Sequence, residues 1–552
     1  MLRASSTCAK EKPKVCTEYD LGRNLRREAA GNPPIPHREN PTVSLPQDEH
    51  KADAIAVPPK TGAAQKGEIS GQSSGKEKSS DRWPKQIKYI VGNEACERFS
   101  YYGMTSILAG YISGEIAKGG LGQSPDTATS IIHTFKFANY FMPLFGAWLS
   151  DKVIGRYHTI LWVSLFYCAG HGVLACSDLA ATVQAKIMIL FSGLGLIAFG
   201  SGGIKPCVSA FVGDQFGPDQ SHLLQKAYGA FYWSINLGSF FSFLAIPWIK
   251  NHHGYSWAFG VPGIAMGLAT LVFWLGTRYY VRKPPSRETR SAGFFQVFWH
   301  ALMSGDKRRG QRFWDRARDR FSEQEVRSAR SVGPILGIFA LIPIFWALFD
   351  QTNSTWVLQG EKMIPISLKL AGWTWNIGAE EMQSANPALV MILVPLLTLG
   401  LYPRLGKLAT PLKRMSLGLF LTAGSYVIVA LLQKQMESGA QLSVAWQTLP
   451  YIVLTTAEVL VSTTGLEFAF TEAGASMKST IMSFWLLTVA FGNLLVTAIT
   501  KLLSSPGAGH NSSVSTSRFL LYAGATFAVA IVFSIAATFY RYRGQDAELK
   551  SE

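Results

Sequence analysis

Glu94, Glu97, Arg98 and Tyr101 stand at i, i+3, i+4 and i+7 in Gly92-Asn-Glu-Ala-Cys-Glu-Arg-Phe-Ser-Tyr-Tyr-Gly103, inside an otherwise apolar stretch. On an α-helix these positions share one face. A charge at mid-bilayer costs about 2.5–3.5 kcal/mol even on the permissive insertion scale, so three within one turn must face a wet cavity or one another. An interhelical ionic lock would use the same residues, but a lock rarely needs two carboxylates and one cation so close together. Three more ionisable residues sit in apolar runs: Lys205 in Gly200-Ser-Gly-Gly-Ile-Lys-Pro-Cys207, Asp350, and Glu458.

The cations Arg98 and Lys205 fall in the first half of the chain and the carboxylates Asp350 and Glu458 in the second. A short zwitterion fits between such walls, its carboxylate on Arg98 and Lys205 and its ammonium on Glu458. Salt bridges suit the gates of such a cavity: Glu94 or Glu97 with Lys205 inside the first half, and Lys205 or Arg98 with Glu458 or Asp350 between halves. His133 and Tyr140 share one run, Tyr232 and Asn236 another. A lone intramembrane histidine is as readily a packing residue as a proton carrier, although its unperturbed pKa of about 6.5 suits the second role. Lys136 reads as a snorkelling or cavity-lining charge.

The elements that must position these residues follow from hydropathy. The chain has 552 residues, 48% hydrophobic and only 16% charged, with a mean hydropathy of +0.15. A soluble domain carries about a quarter charged residues. Twelve apolar runs, each long enough to cross a bilayer, are expected near 89–112, 127–150, 157–176, 185–212, 228–250, 257–280, 331–353, 384–403, 411–433, 446–469, 478–500 and 518–540. The organisation expected is a disordered cytoplasmic tail (1–86), a six-helix bundle (87–280), a basic cytoplasmic linker (281–330), a second six-helix bundle (331–540) and a cytoplasmic tail (541–552). The first tail is rich in Pro, Ser, Gly, Lys and Glu, has no apolar run and shows no cleavable signal.

The formal charge is +16, and Lys and Arg mark cytoplasmic loops. They concentrate before the first run (Arg82, Lys85, Lys88), after the second (Lys152, Arg156), in the linker (Lys307 to Arg320), after the eighth (Arg404 to Arg414) and at the C-terminus. Both termini are therefore expected in the cytoplasm, with the plasma membrane as the default location. Phe313, Trp314 and Phe321, interleaved with arginines, suggest a linker helix lying on the membrane surface. Sequons at Asn353-Ser-Thr355 and Asn511-Ser-Ser513 would face outside. Six cysteines without metal-ligand spacing argue against a zinc site and a disulfide framework. No P-loop or HExxH motif is present, and the glycines at 193, 195 and 200–203 read as helix-packing positions. Six spans, a linker and six spans are the organisation of a two-bundle secondary transporter.

The motifs resemble a known family. Gly146-Ala-Trp-Leu-Ser-Asp-Lys-Val-Ile-Gly-Arg-Tyr157 resembles the cytoplasmic loop motif of the major facilitator superfamily. Glu94-x-x-Glu97-Arg98-Phe99-x-x-Tyr102-Gly103 is similar to the first-span signature of its proton-coupled oligopeptide transporter family. So are Phe231-Tyr232-x-x-Ile235-Asn236-x-Gly238-Ser239, Phe345-Trp-Ala-Leu-Phe-Asp-Gln351, Gln383-Ser-Ala-Asn-Pro387, and Gly465-Leu-Glu-Phe468 followed by Met477-Lys-Ser479. The resemblance runs from about residue 87 to 540 and implies an all-α membrane protein of the major facilitator superfamily fold, with twelve transmembrane helices in two six-helix bundles.

It further implies a monomeric symporter of di- and tripeptides and peptide-like molecules, not an enzyme, with protons as coupling ion, no other cofactor, no metal and no nucleic acid. Proton coupling would use Glu94, Glu97, Arg98, Lys205, Asp350 and His133; peptide contacts would use Arg98, Tyr101, Tyr102, Tyr140, Lys205, Tyr232, Asn236, Trp346, Asn386, Glu458 and Trp485. A carrier of another small anion or drug, and a non-transporting nutrient receptor, remain alternatives. The large domain between spans nine and ten of animal intestinal members is missing, since only residues 433–445 separate them, and the two additional helices of many bacterial members are absent.

Overall fold

The computed structural model describes residues 83–217, 220–285, 293–304, 312–370, 373–406, 410–472, 477–504 and 512–542. The expected N-terminal tail, except 83–86, and the C-terminal tail beyond 542 lie outside the described residues. Each expected apolar run is helical. The first span is Ile87–Ser113, the second Pro125–Phe141 continued by Pro143–Trp148, the third Arg156–Ala175 and the fourth Val183–Gly213. The fifth and sixth are the limbs of Ser221–Leu275, which breaks at Gly254 (φ 82°, ψ 178°), a backbone that glycine adopts without the clash of a Cβ. The seventh is the pair Glu323–Phe339 and Pro343–Asn353, bent by 43°. Glu381–Arg404, Pro411–Glu437, Val444–Ala469, Lys478–Leu503 and Thr516–Phe539 are the eighth to twelfth.

Among the described residues eight helices, or nine counting the bent pair, are by themselves long and apolar enough to cross a membrane; one of them, His222–Arg278, is long enough for two crossings. The first span, which carries Lys88, Glu94, Glu97 and Arg98, is not among them, and the second is interrupted at Pro143.

Local chemistry sets several helix starts. The Ser124 hydroxyl accepts from Thr127 N–H ahead of Pro125, Thr182 accepts from Ala185, and Ser515 from Arg518, satisfying amides that have no helical partner. Large apolar side chains such as Trp162, Phe166, Phe191, Leu399 and Phe539 point outward, as a lipid-facing surface requires.

An ionic tie recurs in the two halves: Arg156 at the start of the third span bonds Asp214 at the end of the fourth (2.7 Å), and Arg414 at the start of the ninth bonds Glu467 near the end of the tenth (3.1 Å). Equivalent ties six spans apart fit the parallel repeat of a two-bundle carrier. In the linker the helix is Phe294–Met303, earlier than the aromatic–arginine stretch suggested; Phe313–Ala317 forms one 3₁₀ turn. The reason is packing, since Phe294 meets Trp314 at 6.1 Å and Phe484 of the eleventh span at 5.6 Å, which draws the aromatics inward. Two short strands, β1 (Ile366–Leu370) and β2 (Trp373–Ile377), pair antiparallel between the seventh and eighth spans. The end of the bundle carrying this hairpin is termed distal, and the end where Ile87 enters proximal.

Candidate functional site

Arg98 collects both carboxylates of the first span. Its Nε lies 2.6 Å from Glu94 Oε1 and 3.0 Å from Glu97 Oε2, both glutamates being 2% exposed, and Ser201 of the fourth span donates to Glu97 Oε1 at 3.4 Å. The expected Glu94 or Glu97 bridge to Lys205 is therefore not formed. Arg98 is one turn from Glu94 on the same helix, so this pair needs no approach of a second helix. Lys205 Nζ instead stands 4.4 Å from the ring centroids of both Tyr101 and Tyr140, with no hydrogen-bond partner among the described residues. Aromatic faces attract a cation without neutralising it. Tyr101, expected to touch substrate, is 3% exposed, and its hydroxyl accepts from Asn139 at 3.0 Å; it serves here as the bed beneath the ammonium. Pro206 follows Lys205 inside the helix and donates no backbone hydrogen bond to the preceding turn.

Asp350 is partnered by Lys136, not by Arg98 or Lys205. Lys136 Nζ reaches Asp350 Oδ1 at 2.7 Å, its carbonyl at 3.2 Å and Asn353 Oδ1 at 2.6 Å, with both side chains nearly dry. Asn493 of the eleventh span donates to the other Asp350 oxygen at 2.7 Å. Its Oδ1 meets His133 Nδ1 at 2.7 Å, and His133 Nε2 meets Ser354 Oγ at 2.9 Å. Because the Asn493 amide nitrogen is committed to Asp350 and Val489, its oxygen is the acceptor and Nδ1 of His133 donates. The signal for Lys136 was in the sequence: it lies one turn from His133, on the same face. The same network corrects the Asn353 sequon, whose Ser354 and Thr355 are wholly buried; Asn511 lies outside the described residues.

Further ties join the halves toward the distal end. Lys250 Nζ bonds Glu380 Oε2 at 2.5 Å, Gln383 donates to the Ser106 carbonyl at 3.1 Å, and Thr129 Oγ1 lies 3.3 Å from Ser513 Oγ. Asp126 accepts from Ser504 Oγ at 2.5 Å and from the Ser513 amide.

On the C-terminal half, Asn386 Nδ2 donates to Glu458 Oε2 at 2.7 Å, bringing a motif residue of the eighth span to the lone carboxylate of the tenth. Glu458 ends a regular helix, and Val459–Thr463 continues as a π-turn, an irregularity common at functional positions. Tyr102 lies within electrostatic range of Arg98, Glu97, Asp350 and Glu458; Tyr140 of Arg98, Asp350 and Glu458; and Tyr232 of Glu458. Charged residues of both halves thus act on one set of tyrosines. Asn236 donates to the Tyr232 carbonyl of its own helix at 3.0 Å. Trp346 and Trp485, 8% and 3% exposed, pack at 6.2 Å in a cluster with Phe339, Phe345 and Phe349.

The sequence model of the POT family matches residues 157–514. "Peptide transporter family 1" of Drosophila melanogaster is 37% identical over 372 residues, covering 65% of this chain and 49% of the relative. "Solute carrier family 15 member 2" of Homo sapiens is 34% identical over 380 residues, covering 65% and 50%. The chain spans about half the length of the curated relatives it matches. Among solved structures, an auto-inhibited POT family peptide transporter is 38% identical with a TM-score of 0.75, covering 83% of this chain and 98% of that one. The fold is accordingly the twelve-helix major facilitator fold expected from sequence.

Proposed function

Since the chain belongs to the POT family, we propose that it is a proton-coupled symporter of di- and tripeptides, working by alternating access in the plasma membrane as a monomer with both termini cytoplasmic. The observation that carries the reading is Lys205, a buried ammonium with no carboxylate or other hydrogen-bond partner among the described residues. A buried cation left in this state calls for an anion, and a peptide carboxylate supplies one. Glu458, oriented by Asn386 on the other half, offers the complementary charge to the peptide ammonium. Tyr102, Tyr140 and Tyr232 lie between and suit variable side chains.

Coupling follows from competition for Arg98. A peptide carboxylate that draws the guanidinium away leaves Glu94 and Glu97 without their cation, and a carboxylate without a cation binds a proton more tightly. Protonation conversely frees Arg98 for the peptide, and this reciprocity is the coupling. One pH unit supplies about 1.4 kcal/mol per proton, and 100 mV about 2.3 kcal/mol per charge. Similarity to proteins named peptide transporters supports the substrate class.

The test is uptake of a labelled dipeptide into proteoliposomes containing only this protein, with and without an inward proton gradient. Gradient-driven accumulation in wild type, its loss in Glu458→Gln, and competition by tripeptides but not by free amino acids are expected. Accumulation of an unrelated anion instead, or binding without any transport, refutes the peptide symporter.

A further inference from the structure

The β1–β2 hairpin at the distal end has one apolar and one polar face. Successive strand residues point to opposite sides, so Ile366 and Leu368 share a face with Trp375 and Ile377, and Ser367 and Lys369 share the other with Thr374 and Asn376. The Ser367 hydroxyl donates to Asn376 Oδ1 at 2.7 Å on the polar face. At the root of the hairpin, Ile366 and Ile377 pack against the protein core. Two register positions further out, Leu368 and Trp375 stand directly opposite one another and are 51% and 42% exposed. Two large apolar side chains paired on the outer part of a hairpin call for an apolar neighbour.

The root shows which neighbour is at hand. The Ile364 amide donates to the Leu442 carbonyl at 2.9 Å, and the Ile364 carbonyl accepts from the Val444 amide at 2.9 Å. The chain entering β1 is thereby pinned to the chain entering the tenth span. Ser443, the bridge partner of Ile364, precedes Trp446 by three residues, roughly 6 Å at the rise of a 3₁₀ turn. Trp446, Leu449 and Ile452 are all exposed and begin the lipid-facing side of the tenth span. Ile364, itself exposed, stands beside the point where that surface begins, and Ile366 and Leu368 follow it on alternate residues. The apolar face of the hairpin is thus continuous along the chain with a surface already turned to lipid. Tryptophan favours the membrane–water interface, and a lysine stem lets its ammonium reach the headgroups. A second copy fits this face less well, because Lys369 on so short an edge strand opposes edge-to-edge pairing.

We infer that the β1–β2 hairpin is a lipid-docking element, lying in the membrane–water interface at the distal end with Leu368 and Trp375 in lipid and Lys369 and Thr374 toward headgroups and water. β2 leads through Gly378 and Ala379 into Glu380, whose Oε2 holds Lys250 of the other half. A hairpin seated in lipid therefore fixes the C-terminal side of that tie at the bilayer surface.

The test uses full-length protein in nanodiscs holding one copy each, with the native cysteines replaced and one spin label at Leu368→Cys, Lys369→Cys, Ile452→Cys or Ser438→Cys. Ile452 is the lipid-facing reference, and Ser438, exposed at the distal end of the ninth span, the aqueous one. Relaxation by oxygen, which concentrates in lipid, is compared with relaxation by a nickel chelate confined to water. The oxygen-to-nickel ratio at Leu368→Cys should match Ile452→Cys and exceed that at Ser438→Cys several-fold, while Lys369→Cys should fall near Ser438→Cys. A Leu368→Cys ratio equal to that of Ser438→Cys overturns the inference. So does shielding of Leu368→Cys from both agents, which means that protein covers the face, and so does lipid-like behaviour that appears only when two copies share a disc. Unlabelled protein gives a second reading should a label disturb the hairpin: lipids brominated on their acyl chains must quench wild-type fluorescence by a larger share than that of Trp375→Phe, and equal shares also overturn it. Neither measurement needs a substrate or a proton gradient, so failure of the peptide assignment leaves both intact.

Discussion

Lys136 and Asp350 are 3% and 9% exposed at their side chains, and 214 residues of chain separate them. A buried ion pair contributes little net stability, but removing one partner strands a charge and costs about 3–5 kcal/mol. Asp350→Asn and Lys136→Met should each lower the thermal midpoint in detergent, while the double variant recovers most of the loss. Equal instability of all three would mean that packing, not charge pairing, holds the site. The same logic separates Lys136 from Lys205. One is neutralised by a carboxylate, whereas the other rests on two tyrosine rings and so remains available to an anion. Both lysines were visible as buried charges in the sequence. Their different roles were not, because residue type does not reveal which neighbour faces an ammonium.

Helix contacts in the N-terminal half depend on backbones approaching closely, which small residues permit. A Cβ at Gly146 of the second span would overlap the Gly203 carbonyl of the fourth, and a Cβ at Gly202 would sit 2.6 Å from the Asn139 carbonyl. The fourth span carries Lys205 and the second carries Tyr140, so this seam sets the cation–ring geometry. Gly146→Val should cost about 1–3 kcal/mol by overpacking and reduce substrate affinity, both measurable by thermal shift with and without dipeptide. Gly195→Val should stay within about 0.5 kcal/mol of wild type, since Gly195 is exposed with nothing within 4 Å. A large loss there would show that the seam is not special. Sequence reading grouped Gly195 with the packing glycines, and Gly193 does meet Leu174 and the Gly170 carbonyl. Composition distinguishes small from large, but which small residue faces protein and which faces lipid depends on the neighbouring helix.

Across the whole molecule, the ties of Lys136 to Asp350, His133 to Asn493, Lys250 to Glu380 and Thr129 to Ser513 all join the two halves. Alternating access requires the distal members of this set to separate. With 3.3 Å between its oxygens, the Thr129 and Ser513 pair suits a crosslink, given that a disulfide needs sulfurs about 2.05 Å apart. Thr129→Cys/Ser513→Cys should exchange dipeptide when reduced and stop when oxidised, with activity restored by reductant. Undiminished exchange in the oxidised protein would show that the distal contact need not open.

The twelve helices, the two halves, the buried charges and the family motifs can all be read along the chain without its fold. Hydropathy and periodicity are local properties that a single helix expresses without knowing its neighbours. Tertiary structure decided the pairings: Arg98 with both glutamates, Lys136 rather than Lys205 with Asp350, and His133 between Asn493 and Ser354. Helical spacing fixes which residues share a face. The partner of that face is set by packing between helices hundreds of residues apart, as the 360 residues between His133 and Asn493 illustrate.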